Sequence, residues 1–230
     1  HAGVRVIVPD RPGYGQSSPC PSYGFSHHSD DLRQLADYLE LDDFLLSGFS
    51  GGGVFAMAAA HDLGKRIEQL VIAATPAVPL MDNPFDYASE LTASTWRAAL
   101  DDRDALAKEL ELITGSVDVL LEALIGAAGD QEEHYLSSNS VRPGFTQNLC
   151  AALEQGSKTA ADALARDSFL TAQSWPFSPQ DIHLPVRVIH GSGDRLVHIE
   201  HQSTVSSNFP DGSPEVISGA HYGALSAIWN

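Results

Sequence analysis

At 230 residues the chain is long enough to bury a substantial core as one domain, with room for an inserted subdomain. Its 43% hydrophobic content includes no run of membrane-spanning length, and thirteen basic against thirty acidic residues give a net charge of −17. So acidic a surface repels nucleic-acid phosphates and anionic lipid, so neither is expected as a partner. Two cysteines, Cys20 and Cys150, are too few for a disulfide framework and lack metal-site spacing.

Taken in chain order, Val4-Arg5-Val6-Ile7-Val8 reads as a first strand on its β-branched run. The Pro/Gly/Ser-rich stretch Pro9 to Pro21 is a loop on turn chemistry alone. Ser29-Asp30-Asp31-Leu32 carries capping-type residues for a helix whose apolar face is Leu32, Leu35, Ala36 and Leu39. Asp43–Ser47 is the next strand, and it runs into Gly48-Phe49-Ser50-Gly51-Gly52-Gly53 and then a helix over Val54–Leu63. A Gly-x-Ser-x-Gly between a strand and a helix is the context of a nucleophile elbow, with a strained serine whose neighbours must lack bulk. Gly48 and Gly52 are expected to supply that room, with Gly51 and Gly53 relaxing the crowding further. Ser50 is therefore the candidate nucleophile. The Gly51 amide is the candidate oxyanion donor, and Phe49 a candidate wall of the substrate pocket.

Ile67 to Ala74 forms a further strand, after which the pattern turns helical from about Ala77 to Trp175. Asp101-Asp102-Arg103-Asp104 opens one amphipathic segment there, with Leu106, Leu110, Ile113, Leu120 and Leu124 among its apolar positions. Some 95 residues exceed an ordinary connection and favour a subdomain. Val186–His190 and Pro214–Ser218 are two more strands, followed by Gly191-Ser192-Gly193-Asp194 and Gly219-Ala220-His221. Asp194 and His221 thus sit just past strand ends, where open α/β sheets place their sites. Serine, aspartate and histidine in that chain order make a triad reading, and such a triad needs no cofactor or metal. Asp82 is the rival acid. His198 and His201 have helix-face spacing for a metal, but lacking a third ligand they read as a solvated face. His190 reads as a packed strand-end residue, and Arg11 receives no role.

These motifs resemble the α/β-hydrolase superfamily, in particular its capped bacterial serine hydrolases. The resemblance rests on Val4 to Ser17, the elbow, His190 to Asp194 and Gly219 to His221. It implies an α/β fold: a mostly parallel sheet with flanking helices, a core of residues 1–76 and 176–230, and a helical cap over 77–175. In that family Val4–Val8 would be the fourth strand, so the first three strands and the second oxyanion donor are expected to be missing, and the chain to be a fragment. A vacant strand position is then expected between Val4–Val8 and Asp43–Ser47. The activity implied is hydrolysis of an ester or related acyl bond of a small molecule, in a cytoplasmic setting. A proline-releasing aminopeptidase, a lactonase, a carbon–carbon bond hydrolase or a perhydrolase would use the same machinery. A receptor on the hydrolase scaffold is the alternative from outside enzymology.

Overall fold

A computed structural model describes residues 3–228. The elements run α1 (Phe25–Tyr38), β1 (Phe44–Phe49), α2 (Gly51–Leu63), β2 (Ile67–Ala73), α3 (Glu90–Asp101), α4 (Arg103–Thr114), α5 (Val117–Ala128) and α6 (Asp130–Leu136). They continue with α7 (Arg142–Ala152), α8 (Ser157–Ala172), β3 (Val186–Gly191), α9 (Ile199–Ser207), β4 (Gly212–Ile217) and α10 (Gly223–Ala227). The strands form one all-parallel sheet in the order β1-β2-β3-β4, so each strand returns through a helical crossover.

The central strands β2 and β3 are covered on both faces, as parallel strands require, while β1 and β4 are more open. On one side α2 is buried almost all round. Val54, Phe55 and Met57 pack there with Leu70, Ile72, Val186 and Val188. Its run of alanines lets the helix axis approach the strands closely. The other face joins Val71, Ala73 and Ile189 to Ala224 and Ala227 of α10. Helices α3 to α8 all lie in the connection between β2 and β3. Their own core is built from Ala99, Leu106, Leu110, Ala161 and Ala165. Asp102 opens α4 as the sequence suggests, accepting hydrogen bonds from the amides of Asp104 and Ala105 at 3.0 and 2.9 Å.

Several local expectations need correction. Val4–Val8 is not a strand: it pairs with nothing in the sheet, and Val8 is 81% exposed. Its β-branched residues suit a pleated surface, but a strand also needs a neighbouring ladder. Among the described residues β1 pairs only with β2. Direct pairing of Val4–Val8 with β1, the sign of a collapsed sheet, does not occur. Helix α1 begins at Phe25, four residues before the expected cap. Ser29 lies inside it, donating its hydroxyl to the Phe25 carbonyl at 3.1 Å. The pair His198 and His201 is not a solvated face. His198 precedes α9, whereas His201 is fully buried, its Nδ1 accepting from the Ala77 amide at 3.0 Å and its ring against Trp96.

Candidate active site

Ser50 stands at the junction of β1 and α2 with φ 52° and ψ −132°, a conformation strained for any residue with a side chain. Two bonds hold it there: its amide donates to the Ala73 carbonyl at 2.8 Å, and its carbonyl accepts from the Gly53 amide at 2.9 Å. The elbow's steric demands fall on Gly48, as expected, but on Gly53 in place of Gly52. A side chain at Gly48 would sit 2.6 Å from the Gly52 carbonyl and Gly53, and one at Gly53 would collide with Thr75. At Gly52 the nearest atom is 3.8 Å away, so the crowding is between β1, α2 and the residues after β2, not at the turn's outer face.

The loops after β3 and β4 bring Asp194 and His221 together. Nδ1 of His221 lies 2.7 Å from Oδ2 of Asp194, and both side chains are buried. The other carboxylate oxygen accepts from the amides of Leu196 and Val197 at 2.9 and 3.0 Å. Burial alone would raise the Asp194 carboxyl, but the nearby His221 and hydrogen bonds from His190 and His221 outweigh it. They hold Asp194 well below the usual carboxylate range. An ionised Asp194 cannot donate, so the His221 ring must give its Nδ1 proton to that bond. In the neutral ring with that tautomer, Nε2 carries the lone pair. His190 is a packed strand-end residue, as its position suggests, but it also has work at the acid. Its Nε2 donates to the Val197 carbonyl at 2.8 Å and lies 3.2 Å from Asp194 Oδ2. Asp82 is exposed and makes no bond to His221 among the described residues.

Ser50, Gly51, Phe49 and His221 line one cavity of about 380 Å³. Phe49 is half-buried with its ring 4.9 Å from His221, so it walls the cavity and packs on the core together. The far wall comes from the helical insertion, with Leu110, Ile113, Leu120 and Leu124 among its apolar residues. No hydrogen bond joins the Ser50 hydroxyl to His221 or to any other described residue. Such contacts are often loose before a substrate tightens them. Among the described residues, no three His, Cys, Asp or Glu side chains are grouped to hold a metal ion. No helix there is long and apolar enough to cross a membrane.

The structure also brings in residues that local motifs do not reveal. Arg11 lines the cavity and pairs with Asp167 of α8, whose other oxygen is held by Arg166. Glu132 of α6 is fully buried, and its Oε1 accepts from the Tyr222 amide at 3.0 Å, beside His221. Burial raises its carboxyl. Its neighbour Gln131 covers Gly193, so α6 rests on both the acid loop and the histidine loop. Only the charge of Arg11, Asp167 and Glu132 was visible in the sequence. Their placement depends on how the insertion docks.

A parallel sheet with a strained serine on the turn into a helix, and an acid–histidine pair past two later strand ends, is an α/β-hydrolase architecture. The chain belongs to the alpha/beta hydrolase fold family, whose match runs over residues 1–224. It is 29% identical over 210 residues to a protein of Synechocystis sp. described as a non-heme chloroperoxidase, covering 87% of this chain and 67% of that one. Over 219 residues it is 29% identical to a pimeloyl-[acyl-carrier protein] methyl ester esterase of Aromatoleum aromaticum, covering 91% and 77%. Among solved structures, a bromoperoxidase from Bacillus anthracis superposes with a TM-score of 0.62 at 22% identity, covering 96% of this chain and 77% of that one. That likeness shows the fold.

Proposed function

We propose that the protein is a serine hydrolase that cleaves an ester or related acyl bond of a small molecule through an acyl-enzyme intermediate. The observation that carries this is the meeting, in one cavity, of a serine held in a strained turn and a histidine whose far nitrogen is fixed on an ionised aspartate. His221 Nε2 takes the Ser50 proton as the hydroxyl oxygen attacks the substrate carbonyl, and then returns it to the leaving alcohol. Asp194 holds the ring's tautomer and stabilises the imidazolium. The Gly51 amide, at the positive end of α2, donates to the developing oxyanion. Water, activated by the same His221, releases the acid. Helices α3 to α8 serve as a cap over residues 77–175, and Phe49 walls the acyl pocket. The ester-cleaving relative supports ester bonds as the first substrate class.

The test is turnover of a chromogenic short-chain ester by the purified protein and by Ser50→Ala. Hydrolysis is expected, with the alanine variant slower by at least about 10³-fold. A scaffold receptor would bind ligand and release no chromophore. Equal turnover by both proteins would likewise remove the reading.

A further inference from the structure

The corner of the cavity beside the elbow has more positive charge than its own carboxylate can neutralise. Asp167 divides its two oxygens between two arginines. Oδ2 accepts from Arg11 Nε at 2.9 Å and lies 2.8 Å from Arg11 Nη2, while Oδ1 accepts from Arg166 Nε and Nη2 at 2.9 and 2.7 Å. Arg166 is buried and also donates to the Pro12 carbonyl at 2.8 Å. Two guanidinium groups against one carboxylate leave a net charge of about +1 in a partly desolvated site. Arg11 faces the cavity, and its third nitrogen, Nη1, has no hydrogen-bond partner among the described residues. That nitrogen is 3.8 Å from where a side chain at Gly52 would begin, two residues past Ser50. The Thr171 hydroxyl is likewise without a partner among the described residues, and it stands 3.4 Å from the corresponding point at Gly51. Phe55 and Tyr14 flank the guanidinium, with its carbon 4.6 and 5.7 Å from their ring centroids, and fix its plane. The rest of the lining near the cap is largely aliphatic.

A protein of net charge −17 would draw a cation to most of its surface, yet this corner presents a free donor on a fixed cation beside the nucleophile. We infer that Arg11, assisted by Thr171, is a specificity-determining anchor for a carboxylate on the substrate, so that the preferred substrates are acyl compounds carrying a second, ionised carboxyl group, such as monoesters of dicarboxylic acids. The aliphatic wall takes the hydrocarbon body, and Arg11 Nη1 donates to the anionic end. This rests on the serine-hydrolase reading for the reaction, but not for the binding.

Two measurements test it. The first compares kcat/KM for a nitrophenyl hemiglutarate and for nitrophenyl valerate, its uncharged counterpart, with wild type, Arg11→Gln and Arg11→Lys. The ratio of charged to uncharged ester is expected to fall about 10–100-fold in Arg11→Gln, the loss of one charge-assisted hydrogen bond. Arg11→Lys, which keeps the charge and loses the fork, should fall between. Equal loss on both esters would assign Arg11 to the reaction itself or to packing and overturn the proposal. The second measurement is calorimetric binding of glutarate and of glutaramide to Ser50→Ala, with Arg11 intact. Preference for glutarate, weakened by added salt, supports the subsite even if no ester is turned over, an outcome that would remove only the hydrolase reading. No preference for glutarate overturns the proposal whether or not the Arg11 variants fold.

Discussion

Two buried aspartates stand by the cavity, Asp167 in its lining and Asp194 behind His221, and their partners give them different surroundings. Asp194 is met by two backbone amides and two imidazoles, groups that carry no fixed charge, so its own negative charge is the dominant one there. The consequence is a histidine ring held by its Nδ1 on that carboxylate. Asp167 is met by two guanidinium groups that stay protonated at any working pH, so its charge is overwhelmed and the corner is permanently positive. The same side chain, buried to the same degree, fixes a histidine ring in one place and sits under an excess of positive charge in the other. What differs is whether its partners can titrate.

The largest expected effect lies at the acid–histidine corner. Asp194→Asn keeps the size and the bonds to Leu196 and Val197 but lets the new amide present a donor to His221. Ester turnover should drop on the order of 10³–10⁴-fold with little change in thermal stability. Asp82→Asn should leave turnover within about twofold. The reverse pattern in steady-state kinetics would move the acid to Asp82. At the arginine corner the effect should be on folding first. Asp167→Ala strands the buried Arg166 and the half-buried Arg11 guanidinium groups and is expected to cost about 3–5 kcal/mol in a urea melt. A loss under about 1 kcal/mol would mean that water already shields that corner and would break the contrast.

The smallest effect is one the corners share. Behind the arginine corner, His28 lies 2.9 Å from the Tyr23 hydroxyl and against Phe55. Behind the acid corner, His201 lies against Trp96. Burial pushes each imidazole down to about 4. Each folded-state value is below the unfolded value near 6.5, so between about pH 6.5 and 4 the unfolded chain binds more protons than the folded one. Stability therefore falls with pH across that window and levels off below it, on the order of 3 kcal/mol for each histidine. Thermal melts from pH 7 to 4 should show this slope, reduced in His28→Gln and again in His201→Gln. A slope unchanged in both variants would place the lost protons elsewhere.

Most of the sheet could be read from sequence because each strand announces itself locally. Ser50, Asp194 and His221 were legible for a related reason: each follows a strand end within a few residues, inside a short glycine-marked motif. Arg11, Asp167 and Glu132 were not, since their meaning arises only when a helical insertion docks on loops more than 80 residues away in sequence. Val4–Val8 misleads in the opposite sense. Its side chains carry every local mark of a strand, but pairing is decided by what lies alongside. His201 shows the same limit, because a helix-face spacing cannot say whether the face looks to water or to Trp96.

Among the described residues one side of β1 is unpaired, which has a consequence for this chain in isolation. Its backbone donors and acceptors on that side, with Leu45 60% exposed along it, form a template on which a strand from another molecule can be added. The net charge of −17 opposes such growth through long-range repulsion between molecules, and repulsion of that kind is what salt screens. Association through this edge is therefore expected to rise with ionic strength. Light scattering should show particle size rising between about 0.01 and 0.5 M salt while the far-ultraviolet spectrum gains β character. A Leu45→Lys substitution, which places charge on the edge itself, should delay that growth.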